Sequence, residues 1–160
     1  MRYASIRDLD ISNGNDIGVA LFTQGCHFHR KNCFNKSTWD FDGGKEFTKE
    51  TCDKFMKLVN RPFIKRVSIL GGEPLAKENV DDVCNVLKQI KNKTIWVYTG
   101  HTFETVKNYD IMKYIDYLVD GQYVDELRDL RLKFRGSSNQ RIIDVQKSLK
   151  ENKVILYEVN

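Results

Sequence analysis

Apolar residues gather in five short runs rich in β-branched and aromatic side chains: Val19-Ala20-Leu21-Phe22, Val67-Ser68-Ile69-Leu70, Ile95-Trp96-Val97-Tyr98, Tyr117-Leu118-Val119 and Val154-Ile155-Leu156-Tyr157. Near-continuous runs of this length predict strands buried on both faces. Helical spacing takes over between them. One helix is predicted after Thr48, an N-cap residue with Glu50 in the favourable first turn, burying Phe55, Leu58 and Val59 and ending at Arg61-Pro62. A second follows Asn79, with Asp81 and Asp82 at its positive end and Val83, Val86, Leu87 and Ile90 along one side. A third starts at Thr102. Strands alternating with helices predict an α/β fold with a largely parallel sheet, either open or curled into a partial barrel. Ligands then gather at the carboxyl ends of the strands.

Nothing divides this pattern. There is no internal repeat, low-complexity tract or Pro/Gly/Ser linker, so residues 1–160 are expected to form a single domain. The composition, 41% hydrophobic and 30% charged, is that of an ordinary globular chain, and no apolar run approaches the ~18 residues that span a bilayer. Met1-Arg2-Tyr3-Ala4-Ser5 lacks the apolar core of a signal peptide, which makes a cytoplasmic location the expectation. The net charge of +4 is modest. Arg135, Arg141, Lys147, Lys150 and Lys153 are interrupted by Asp144 and Glu151, a solvated face rather than a nucleic-acid stripe. Neither nucleic acid nor a membrane is an expected partner.

Four cysteines, at positions 26, 33, 52 and 84, are too sparse and irregular for a disulfide framework. Cys52 and Cys84 fall on the two predicted helices, where a thiol serves as a small buried hydrophobe. Cys26 and Cys33 differ. They sit in Gly25-Cys26-His27-Phe28-His29-Arg30-Lys31-Asn32-Cys33-Phe34-Asn35, directly after the first predicted strand, where this architecture puts its chemistry. A tight loop with several thiolates is how one segment grips an iron–sulfur cluster. After the second strand, Gly71-Gly72-Glu73-Pro74-Leu75 allows close backbone approach to a ligand and holds a carboxylate at the same rim. Both loops are expected to feed one pocket.

The chain resembles the activating proteins of anaerobic ribonucleoside-triphosphate reductase, small members of the radical S-adenosylmethionine superfamily. The resemblance runs almost end to end: Gly25-Cys26, Cys33-Phe34-Asn35-Lys36-Ser37-Thr38-Trp39, Gly71-Gly72-Glu73-Pro74, Ile95-Trp96-Val97-Tyr98-Thr99-Gly100, Val119-Asp120-Gly121 and the family-specific Phe134-Arg135-Gly136-Ser137-Ser138-Asn139-Gln140-Arg141. It implies an incomplete parallel (β/α) barrel. It further implies a [4Fe-4S] cluster held by thiolates, with S-adenosylmethionine chelating the open iron and being reductively cleaved. The radical so formed would take a hydrogen atom from a glycine of the large reductase subunit, with a reduced flavodoxin-like protein as electron donor. On this resemblance Gly71, Gly72 and Glu73 hold the methionyl amino end, and the Asn32-Cys33-Phe34 backbone borders the adenine. Thr99 and Gly100 close the pocket, while Trp39 and Trp96 pack the core.

One position departs from the family. The family's Cys-x3-Cys-x2-Cys loop maps onto Cys26, position 30 and Cys33, and position 30 here is Arg30. A guanidinium keeps its proton at any relevant pH and has no lone pair for iron. Arg30 can hydrogen-bond a cluster sulfide or neutralise thiolate charge, but it cannot replace a bond. His29, with His27 beside it, is the candidate substitute, because imidazole replaces thiolate on iron in some clusters. Two further readings stand beside the activating enzyme: a catalytically silent homologue that still binds the reductase, and a module holding zinc through Cys26, Cys33 and histidine.

Overall fold

The computed structural model describes residues 1–29 and 36–159. A single seven-stranded sheet runs through them: β1 (Arg2–Asp10), β2 (Gly18–Thr23), β3 (Lys45–Glu46), β4 (Arg66–Gly71), β5 (Thr94–Tyr98), β6 (Tyr117–Asp120) and β7 (Arg141–Asp144), in the order β3-β1-β2-β4-β5-β6-β7. The helices are α1 (Lys49–Val59), α2 (Val80–Lys88), α3 (Phe103–Val106) and α4 (Val145–Glu151).

β2, β4, β5 and β6 are parallel, and these are four of the five predicted strands. The fifth prediction fails. Of Val154–Tyr157, only Leu156 bridges the sheet, opposite Ile143. The segment's remaining main-chain bonds are few, and one of them, Ile155 N, donates to the Ser148 hydroxyl at 2.9 Å instead of to a strand. Two strands escape the apolar pattern. β1 carries charge through most of its length and is half exposed, and β7 contributes only Ile142 and Ile143 to the core. Both run antiparallel to their neighbours and flank the parallel centre. The sheet is therefore mixed, and among the described residues no pairing between β3 and β7 closes it.

Alternation along the central strands separates two faces. Val19, Leu21, Val67, Ile69, Ile95 and Val97 point to the helices and join Phe55, Val59, Val83 and Leu87 in the main core. Trp96, Val119 and Ile142 point the other way, into a smaller cluster with Tyr98, Phe134 and Tyr157 that loops cover instead of helices. The Thr48 hydroxyl caps α1 by accepting from Thr51 N at 3.2 Å, as expected of its position. Thr102 precedes only the single turn of α3, and Phe103 N there donates to the Asp120 carboxylate at 2.7 Å.

The face without helices is built around a buried charge. Arg66 is fully enclosed and pairs with Asp10 at 2.9 Å. Its guanidinium also donates to the Asp10 carbonyl at 2.7 Å, the Asn15 carbonyl at 2.7 Å and the Ser68 hydroxyl at 2.6 Å. Burial alone would push the Asp10 carboxyl up. The Arg66 charge and hydrogen bonds from Arg7, Arg66 and Asn13 outweigh it and hold the group below the usual carboxylate range. The β1–β2 connection is thereby folded down over the sheet, which delivers Ser12 and Asn13 to the site described next.

Candidate functional site

At the carboxyl ends of the parallel strands, three turns interlock through their backbones. Gly25 N donates to Thr38 O at 2.6 Å, Cys26 N to Trp39 O at 3.0 Å, Gly72 N to Thr23 O at 3.0 Å and Glu73 N to Gly25 O at 2.7 Å. Gly71 has a φ of +117°, and a Cβ on it would lie 2.4 Å from Thr23 N. A Cβ on Gly72 would lie 2.4 Å from Gly25 O. Only glycine fits at either place, so the diglycine is what lets the turn after β4 reach the cysteine-bearing turn after β2. Asn79, at the N-cap position of α2, makes no cap bond. Its amide fastens both turns instead, donating to Gln24 O at 3.1 Å and Glu73 O at 3.0 Å.

Glu73 is 2% exposed. Its Oε2 accepts from Leu75 N at 2.9 Å and from the Thr99 hydroxyl at 2.8 Å, and its Oε1 accepts from Gly100 N at 2.7 Å. All three donors are neutral, and no cation pairs with this carboxylate among the described residues. Burial is the dominant influence and pushes the carboxyl up to about 7, against the pull of the Gly100, Leu75 and Thr99 hydrogen bonds. A carboxylate so placed has unused acceptor capacity and gains from a cation brought to it.

An open cavity of about 440 Å³ lies over this turn, within the ~300–1,000 Å³ usual for small-molecule sites. Cys26, Phe28 and Trp39 line one side, Gly71, Gly72 and Glu73 the floor, and Tyr98, Thr99 and Gly100 the next strand's end. The far wall comes from Gly121–Tyr123 and from Phe134, Arg135, Gly136 and Gln140. That wall is held by its own polar side chains. Gln140 Oε1 accepts from Gly136 N at 2.9 Å and Ser137 N at 3.1 Å, while its amide donates to Gly121 O at 3.1 Å. Asn139 donates to Gln122 O at 2.8 Å, and Arg141 grips the Asp120 carboxylate at 2.6 Å.

Of the residues singled out in the sequence, Cys26, Gly71, Gly72 and Glu73 meet around one cavity, with Thr99 and Gly100 as the partners of Glu73. Arg30, Asn32, Cys33 and Phe34 lie outside the described residues. His29 has a left-handed backbone, φ 46°, and stacks on Trp39 with ring centroids 4.7 Å apart, while His27 turns to Glu78 at 2.7 Å. Among the described residues no three His, Cys, Asp or Glu side chains are placed to hold a metal together. Trp96 is in the core as expected. Trp39 is not: it is half-buried on the cavity wall, against the expectation drawn from its size alone. Sequence reasoning also missed Arg7 and Asn13, which reach the cavity from a strand and a hairpin loop with no local signature, and it gave Tyr98 no place in the site.

Known proteins are similar to this chain in sequence. A family profile described as a 4Fe-4S single cluster domain matches residues 12–143. The activating protein of anaerobic ribonucleoside-triphosphate reductase from phage T4 is 34% identical over 146 residues, covering 89% of this chain and 93% of its own. The proteins of the same name from Salmonella typhi and Escherichia coli K12 are 38% and 37% identical, covering 88% of this chain and 96% of theirs. These matches define an iron–sulfur enzyme of the radical S-adenosylmethionine type, with a [4Fe-4S] cluster and S-adenosylmethionine as cofactors. Within that class, the chain belongs to the anaerobic ribonucleoside-triphosphate reductase-activating protein family. No helix among the described residues is long and apolar enough to cross a membrane.

Proposed function

We propose that this protein is a glycyl-radical activating enzyme acting on anaerobic ribonucleoside-triphosphate reductase. When bound, the cluster and S-adenosylmethionine, held by Cys26, Cys33 and Glu73, would supply the reductive radical chemistry that takes a hydrogen atom from a glycine of the reductase. The chain's residues bind, orient and exclude water. The thiolates of Cys26 and Cys33 hold the cluster, with His29 the substitute donor for the position that Arg30 occupies. Gly71, Gly72 and Glu73 hold the methionyl amino end, the diglycine letting the cofactor reach the backbone. Thr99 and Gly100 fix the carboxylate's orientation, and the Asn32-Cys33-Phe34 backbone borders the adenine. The buried Glu73 carboxylate, met by neutral donors alone among the described residues and beside Cys26 in one cavity, is the observation that carries this reading.

The open mixed sheet, with a cavity on its helix-free face, supports an incomplete barrel formed by one domain. By analogy with the family, the cytoplasm is the setting and a reduced flavodoxin-like protein the electron donor. Anaerobic reconstitution tests the assignment: broad visible absorption, about four irons per chain and a glycyl radical signal on the reductase are expected. Arg30→Cys, which restores the third thiolate, should raise iron retention and S-adenosylmethionine cleavage. Iron content unchanged by that substitution would remove Arg30 as the limiting feature. A colourless parent protein containing zinc would replace the enzyme reading with a metal-binding module.

A further inference from the structure

Gly100 donates its N–H to Glu73 Oε1 at 2.7 Å, yet its backbone does not take the left-handed conformation that calls for glycine. What keeps a side chain out is one ring. A Cβ on Gly100 would lie 2.6 Å from both Cδ2 and Cε2 of Phe28, and the three nearest atoms to that position all belong to Phe28. The same ring meets His101 edge-on, with centroids 5.0 Å apart and planes at 73°. Glycine at position 100 therefore serves the close approach of an aromatic side chain to the backbone.

Phe28 stands two residues after Cys26, and its neighbours turn elsewhere. The His27 ring packs on Phe41 at 4.5 Å and the His29 ring on Trp39 at 4.7 Å, both partners lying in the segment that follows the cysteine loop. Phe28 crosses instead from the turn after β2 to the turn after β5. Those 99–101 residues move as a unit: Thr99 Oγ1 and Gly100 N both donate to Glu73, His101 N donates to Thr99 Oγ1 at 3.1 Å, and Gly121 N donates to His101 O at 2.9 Å. Displacing Gly100 therefore disturbs two of the three donors that orient the carboxylate.

We propose that Phe28 is a positioning residue for S-adenosylmethionine: seated on Gly100, its ring fixes the 99–101 turn that orients the Glu73 carboxylate, so that the cysteine loop and the site for the cofactor's amino end are set together. This rests on the function proposed above. The start of the cysteine loop has its own fastening, since Gly25 N donates to Thr38 O and Cys26 N to Trp39 O. Removing the ring therefore releases the 99–101 turn while the backbone at Cys26 keeps its bonds.

The test is made on the full chain: hydrogen exchange of the Gly100 amide before reconstitution, then iron content and S-adenosylmethionine affinity after it. Phe28→Ala is expected to speed Gly100 exchange about tenfold and weaken cofactor binding about tenfold, the scale of one loosened hydrogen bond to a charge, with the parent's iron content. Phe28→Leu keeps an apolar group over Gly100 and should recover most of both. Gly100→Ala should weaken binding by pushing the ring aside, and should cost nothing further beside Phe28→Ala, where the methyl group enters the space that the ring has left. Losses that add in the double variant overturn the inference, as does an unchanged Gly100 exchange rate in Phe28→Ala. Iron lost in step with the cofactor also overturns it, since the ring would then support the cluster loop alone. A parent chain that takes up iron and binds no S-adenosylmethionine overturns the functional reading, and the cofactor role of Phe28 with it, whereas Gly100 exchange still measures whether the ring holds the turn.

Discussion

Arg66 opens β4 and Glu73 lies two residues past its end, and both side chains are shut away from water; yet only Arg66 meets an opposite charge among the described residues. The guanidinium and Asp10 answer each other, and the surrounding carbonyls and Ser68 take up the remaining donors. At the other end, one hydroxyl and two backbone N–H groups meet a carboxylate that has no cation among the described residues. A closed ion pair with every donor used is architecture. An uncompensated carboxyl under a cavity is kept in a state that a cationic ligand can improve. One strand thus runs from a finished electrostatic contact to an unfinished one, and the unfinished one marks the site.

Breaking the finished end should have the largest effect. Arg66→Met leaves the buried Asp10 carboxylate with little beyond the half-exposed Arg7 and Asn13 to compensate it, and strips the 10–18 connection of its anchor. A loss of about 3–5 kcal/mol in urea unfolding is expected. The double change Arg66→Met with Asp10→Asn should recover part of it, because no orphan charge remains. A loss under about 1 kcal/mol in the single variant would mean that water relieves Asp10, and the contrast with Glu73 would lose its basis.

Acidity separates the two ends by sign. Asp10 is held below its ordinary 3.8, so its contribution is present above that value and is lost as the pH falls further. Glu73 is raised from 4.5 to about 7, so the folded state binds its proton more tightly than the unfolded chain does. Its contribution is complete below 4.5 and disappears as the pH rises to about 7, roughly 3 kcal/mol across that window. Unfolding titrations of Glu73→Gln should be flatter over the same interval, and a parent curve equally flat would refute the raised value. Ligand binding runs the opposite way. The amino N–H donors of S-adenosylmethionine select the ionised carboxylate, so the cofactor should bind about tenfold more weakly at pH 6 than at pH 8, and Glu73→Gln should remove most of that dependence.

How much of this is readable from the sequence follows from how local each determinant is. The four parallel strands and α1 announce themselves, since a buried run or a Thr48 cap acts within a few residues. β1 does not, because Arg2–Asp10 presents charge on a half-exposed strand. Val154–Tyr157 misleads in the opposite sense: Val154 and Tyr157 pack against the two apolar clusters, but Leu156 is exposed and the backbone makes only one bridge. At the site, the diglycine and Glu73 are visible as a motif. The reason Glu73 is unusual is not, since Thr99 and Gly100 arrive from the next strand. Phe134–Arg141 is recognisable as a family string, yet only the fold shows that Gln140 and Asn139 fasten a wall of the cavity.

Asn79 sharpens the comparison at its smallest scale. From sequence it reads as the cap of α2; in the structure its amide ties the Gln24 carbonyl to the Glu73 carbonyl, joining the turns that frame the site. The two roles predict different substitution patterns. Asp and Ser are good N-caps but cannot supply two amide hydrogens to two carbonyls. If Asn79 is a tie, Asn79→Ala, Asn79→Ser and Asn79→Asp should all lose about 1–2 kcal/mol in chemical unfolding. Asn79→Asp should lose the most, because it sets a second carboxylate near two carbonyl oxygens at the Glu73 turn. Retained stability in Asn79→Asp would restore the capping role and leave the turns after β2 and β4 joined by backbone bonds alone.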